Sequence, residues 1–127
     1  MCSSDLLPPK HHLADPAPAA RLLGVDADAL LDGTDVPLVP RDGPLLGSLF
    51  ESLVTLCVRV LAQAAEARVF HLRTKSSERE VDLVVERGDG RILAIEAKLG
   101  GNVDEGDVRH LRWLAGTSAP TCLTRSL

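Results

Sequence analysis

The chain has 127 residues, a formal net charge of −4, and 45% hydrophobic and 25% charged content, the balance of one soluble globular domain with extensions. That charge excludes a protein that coats nucleic acid through bulk positive charge, yet allows a local basic rim around an acidic site. Three widely spaced cysteines, Cys2, Cys57 and Cys122, form no CxxC pair and suggest neither a disulfide framework nor a zinc site.

Met1–Pro9 has no periodicity and reads as a disordered or foreign leader, and Met1–Lys10 lacks the basic start and apolar core of a signal peptide. Residues 10–42 read as a connector with short helices. In it Asp15-Pro16 pairs an N-cap with a proline at the first helical position, and Gly24 supplies a C-cap. Asp26 to Leu31 predicts a further turn of helix, and Thr34 to Asp42, with Pro37 and Pro40, a loop.

Residues 43–115 read as the α/β core. A long helix is predicted from about Pro44 to Ala65, with Leu46, Leu49, Leu53, Leu56, Cys57, Val60 and Ala64 at the spacing of a buried face. Its longest apolar run, Leu53–Leu61, is interrupted by Thr55 and Arg59 and reads as unable to span a bilayer. The expected compartment is therefore the cytoplasm, with no membrane as a partner. Three strands follow, Arg68–Thr74, Glu80–Arg87 and Arg91–Leu99, then a second helix over Asp104–Leu114 that is acidic at its start and basic toward its end. Residues 116–127 form a tail with a weak strand candidate at Thr121–Thr124. The predicted fold class is α/β, with helices packed on a mixed sheet.

The second and third strands carry the chemistry. Gly88-Asp89-Gly90 predicts a three-residue hairpin turn closed by Arg87 and Arg91. That register pairs Leu83 with Ile95 and Val85 with Leu93, sets Asp82 opposite Glu96 and Glu80 opposite Lys98, and puts Val81, Leu83 and Val85 on one buried face. Opposed side chains lie roughly 5 Å apart at Cβ, close enough for two carboxylates to share a cation. Asp82 and Glu96 are thus candidate ligands for Mg²⁺ (or Mn²⁺), with the Ala97 carbonyl as a third. Lys98 is the candidate for orienting water or stabilising a phosphate. The plainer alternative is a solvated sheet face with ion pairs such as Glu80–Lys98.

Glu51, among the leucines of the long helix, is either a further acid at the site or a helix-surface glutamate. Arg68, His71, Arg73, Lys75 and Arg79, with Arg109, His110 and Arg112, are candidate phosphate contacts, though an aromatic content of 2% gives no base-stacking platform. Trp113 is expected in the core with Leu111 or Leu114, and His11-His12 is a weak metal hint. No GxxxxGK[ST] occurs in the chain, so it carries no phosphate-cradling ATP site of that kind.

Taken in order, Glu51 on a helix, Glu80-Val81-Asp82, and Glu96-Ala97-Lys98 resemble the PD-(D/E)xK, restriction-endonuclease-like, nuclease superfamily. Over about Lys10 to Leu114, the Lys10–Pro16 segment, the helix around Glu51 and the Glu80–Glu86 run are similar to the uncharacterised C-terminal domain of bacterial AAA-family ATP-binding proteins. The resemblance implies a restriction-endonuclease-like fold, metal-binding acids at Asp82 and Glu96, the lysine at Lys98 and the helical acid at Glu51. It further implies DNA as substrate and an ATPase module as neighbour. No such module precedes Lys10 here and Thr117–Leu127 fits the pattern poorly, so a fragment is expected. Two rivals remain: a non-catalytic accessory domain that docks on an ATPase module or other partner, and a truncated product with no stable role.

Overall fold

The computed structural model describes residues 11–32, 44–74, 79–100, 102–117 and 124–125. Its elements run α1 (Ala17–Leu22), α2 (Ala27–Asp32), α3 (Pro44–Ala64), β1 (Arg68–Arg73), β2 (Glu80–Glu86), β3 (Ile92–Ile95), α4 (Glu105–Gly116) and β4 (Thr124–Arg125). The leader, the Thr34–Asp42 loop, the Lys75–Glu78 connection and residues 121–123 of the last strand candidate lie outside the described residues.

The short helices start as their acids dictate: Asp15 Oδ1 accepts the Ala17 amide at 2.9 Å and Asp26 Oδ1 accepts that of Ala29 at 2.8 Å. Gly24, at φ +65°, closes α1 in the left-handed region that favours glycine.

The four strands form one sheet in the order β3-β2-β1-β4. All pairings among the described residues are antiparallel, not the mixed set expected, because hairpins link β1 to β2 and β2 to β3 while β4 returns beside β1. The β2–β3 hairpin has the predicted turn: the Arg87 amide donates to the Arg91 carbonyl at 2.9 Å, and Gly90 takes φ +81°. Leu83 pairs with Ile95, Val84 with Ala94 and Val85 with Leu93, the predicted register.

The strict alternation expected along β2 fails at one place. Between Phe70 and Leu72 the register with β1 shifts, so Phe70 pairs with Val84 but Leu72 with Val81. Asp82 and Leu83 therefore both stand opposite the single residue His71, a β-bulge. Val81 and Val84, three apart, consequently share one core cluster with Leu72 and Leu114, against which Phe70, Ala94, Leu111 and Trp113 pack.

The long helix forms as predicted, but it turns a different side to the sheet. Leu49, Ser52, Thr55 and Ala62 are buried, whereas Leu53, Cys57, Val60 and Ala64 of the predicted core stripe are exposed. Small residues let the helix approach the sheet, and the larger apolar stripe faces out. By length and composition α3 is also able to cross a membrane, with mean hydropathy 1.8 over Leu45–Ala64 and 22% of that span buried. That span is longer than the Leu53–Leu61 run read from the sequence, because Glu51 and Arg59 are the only charges on the helix.

Candidate active site

The β2–β3 ladder ends at Leu83–Ile95, and one step beyond it stand Asp82 and Glu96. The third strand stops earlier than Leu99, because the Asp82 side chain takes over the role of a ladder acceptor. Its Oδ2 accepts the Ala97 amide proton at 2.9 Å. Asp82 is 8% exposed and sits at the bulge, a place where strands re-aim side chains. Glu96 is half-buried, with Oε2 shielded from solvent. It is thus the Ala97 amide, not its carbonyl, whose contact with the acids is seen.

Lys98 follows two residues after Glu96 and forms an ion pair with Asp107 at the start of α4. Glu80, its expected partner, pairs instead with Arg73 at 3.6 Å. Asp107 is itself fixed by a capping box: Asp104 Oδ1 accepts the Asp107 amide and Asp107 Oδ2 accepts the Asp104 amide, each at 3.0 Å. One carboxylate therefore starts α4 and anchors the Lys98 ammonium. Sequence reasoning missed Asp107 in this role, although the Asp104-x-x-Asp107 spacing of a capping box was there to be read. Glu51 stands on α3 with Oε1 shielded from solvent, a more enclosed setting than a helix-surface glutamate.

Asp82 is buried, Glu80 and Glu96 are half-buried, and Lys98 is exposed. His110 docks α4 over the start of β2, its Nδ1 lying 3.2 Å from the Glu80 nitrogen and 2.7 Å from the Glu80 carbonyl oxygen. His110, expected as a candidate phosphate contact, thus also packs against the backbone, a role with no sequence signal because a pairing 30 positions apart depends on how α4 lands on the sheet.

Most of the candidate phosphate contacts are engaged within the fold. Arg68 pairs with Glu86 at 3.1 Å and stands over Phe70, and Arg112 pairs with Glu105. Arg109 Nε donates to His110 Nε2 at 2.8 Å. The Arg79 guanidinium lies 4.4 Å from the centre of the Trp113 ring, covering the half-buried indole. His71 is buried, and Lys75 lies outside the described residues. Among the described residues no group of three or more His, Cys, Asp or Glu converges as a metal cluster, the His11-His12 pair included.

The family model of a domain of unknown function, DUF4143, matches residues 46–125; that domain is known from AAA-ATPase-associated proteins. The match begins inside α3, not at Lys10, and reaches through β4, so the tail does carry family pattern. No curated protein and no solved structure matches the chain.

Proposed function

The chain belongs to the DUF4143 family, and we propose that this member is a Mg²⁺-dependent phosphodiesterase domain of restriction-endonuclease-like fold, acting on DNA beside an ATPase module. What supports this reading is that Asp82 and Glu96 each come one step beyond the Leu83–Ile95 end of the ladder, with Asp82 accepting the Ala97 amide and Lys98 next along the chain. Two carboxylates offer hard oxygen donors, and magnesium is commonly held by one or two carboxylates completed by waters and substrate phosphates. The donor set therefore fits the ion. When bound, the ion supplies a water of lowered pKa and offsets charge on the phosphodiester.

The chain's own residues do the positioning. The Ala97 amide fixes the Asp82 carboxylate, and Asp107 holds the Lys98 ammonium while leaving it 52% exposed, open to a substrate phosphate oxygen. Glu51 remains the helical acid that the family resemblance implies, although among the described residues it does not join Asp82 and Glu96 in a metal cluster. Without a GxxxxGK[ST] segment, ATP turnover is left to the neighbouring module.

One observation favours a second reading, a non-catalytic accessory domain. Asp82 and Lys98 both have structural partners, Ala97 and Asp107, so the same residues also serve as a clamp joining the end of β3 to the sheet and to α4. Calorimetric titration of the folded chain with Mn²⁺, beside Asp82→Asn, separates the two. Binding by the parent that the variant loses supports the metal site. A folded parent that binds no Mn²⁺ sinks the nuclease reading and leaves the clamp.

A further inference from the structure

We propose that Arg79 and Arg109 together form a contact for a backbone phosphate of duplex DNA, beside the candidate site. The choice of DNA rests on the phosphodiesterase reading. Arg68, Arg73, Lys98 and Arg112 are each matched to a carboxylate. Among the described residues Arg79 and Arg109 are not.

The fold brings these two arginines to one place. Arg109 and Trp113 are four residues apart on α4, hence neighbours on one face of the helix. The Arg79 guanidinium lies 4.4 Å from the centre of the Trp113 ring. His110 ties the same turn of α4 to the sheet, with Nδ1 2.7 Å from the carbonyl oxygen of Glu80, the residue after Arg79. The one carboxylate close by, that of Glu80, is offset by Arg73 at 3.6 Å.

Each guanidinium is held with donors to spare. Trp113 covers the face of Arg79, and stacking of this kind leaves the N–H groups at the guanidinium edge open to a ligand. Arginine can only donate, so His110 Nε2, 2.8 Å from Arg109 Nε, is the acceptor and the ring proton lies on Nδ1 toward Glu80. The Arg109 Nη groups are left without a hydrogen-bond partner among the described residues. A planar fork fixed through one contact is pre-organised for phosphate oxygens.

Position selects a nucleic-acid phosphate over a small free anion. Arg79 stands three residues ahead of Asp82, ~10 Å along an extended chain, and α4 also carries Asp107, which holds Lys98. A duplex presents further phosphates on either side of the one being cut, and the arginine pair is placed to meet one of them. With a net charge of −4, the chain needs such a local contact to hold a polyanion.

The test is binding of the full chain to a short fluorescein-labelled duplex, read by anisotropy in EDTA across a series of salt concentrations. Arg79→Gln and Arg109→Gln are each expected to weaken binding about tenfold at low salt, and to lower the magnitude of the slope of log K against log salt by about 0.9. Arg68→Gln and Arg112→Gln should leave that slope unchanged. Circular dichroism checks each variant, and the exposed Arg109 keeps the test decisive if Arg79→Gln, which uncovers Trp113, fails to fold. Trp113 is the only tryptophan in the chain, so its emission should also change when the duplex binds. A parent that binds no duplex at low salt overturns the proposal. Equal loss of slope in all four variants overturns it as well, since bulk charge would then account for binding. A Trp113 response to inorganic phosphate but none to the duplex gives the pair to a small anion, and that too overturns it. Duplex binding that depends on both arginines, with no cleavage in Mg²⁺, supports the contact and sinks the phosphodiesterase reading. Cleavage by the parent with undiminished binding by both variants does the reverse.

Discussion

Asp82 accepts the backbone amide of Ala97 at 2.9 Å, so a side chain replaces the ladder at the point where β3 leaves the sheet. The contact accounts for the short β3 and holds Asp82 against the backbone next to Glu96 in the chain. It also couples stability to the proposed chemistry, and the two are separable by substitution.

Asp82→Ala should cost about 1 kcal/mol or more, because a part-buried amide loses its acceptor. Asp82→Asn keeps a carbonyl oxygen for Ala97 and should cost less than Asp82→Ala, while removing the carboxylate charge on which metal binding is proposed to depend. Urea unfolding of both variants, set beside the Mn²⁺ titration, checks this. Equal destabilisation by the two would show that the charge itself, not the acceptor, holds the strand end.

Lys98→Ala removes a half-exposed ion pair with Asp107 and should change stability by no more than about 1 kcal/mol. On the nuclease reading the same variant loses all cleavage of duplex DNA in Mg²⁺. Undiminished cleavage would remove Lys98 from the site.

Thr55 on α3 is buried, and its Oγ1 has no hydrogen-bond partner among the described residues. Thr55→Val removes that hydroxyl at nearly constant volume, so a gain of about 1 kcal/mol is expected, read as a higher urea midpoint at unchanged slope. A loss instead would mean that the hydroxyl is satisfied in solution.

Leu114 is 1% exposed and joins α4 to Leu72, Val81 and Val84 in the core. Leu114→Ala should cost about 2–5 kcal/mol through lost burial and the cavity left behind, measured by chemical unfolding. A cost below about 1 kcal/mol would mean that α4 is not part of the cooperative core.

Asp104→Ala breaks the capping box that orients Asp107 and should cost about 0.5–2 kcal/mol. Faster amide exchange confined to the first turn of α4, at Glu105 to Asp107, is the expected signature.

Much of this protein is legible in its sequence, because short-range rules govern it. The turn at Gly88-Asp89-Gly90 and the alternation of Leu83, Val85, Leu93 and Ile95 determine the hairpin register, since any slip would bury charge against an apolar face. By that register Asp82 and Glu96 come next beyond the last pair, Leu83–Ile95. The extent of α3 and the capping of α1 by Asp15 follow from local chemistry in the same way. Only the tertiary structure decided the bulge at Asp82–Leu83, the capture of Lys98 by Asp107, the docking of His110 on Glu80 and the side of α3 that meets the sheet. Each depends on where two elements distant in sequence come to rest. For α3 the period of three and four marked an apolar stripe correctly, but periodicity cannot say what covers a stripe. The close approach of helix and sheet selected Ser52, Thr55 and Ala62, and left Leu53, Cys57 and Val60 facing outward.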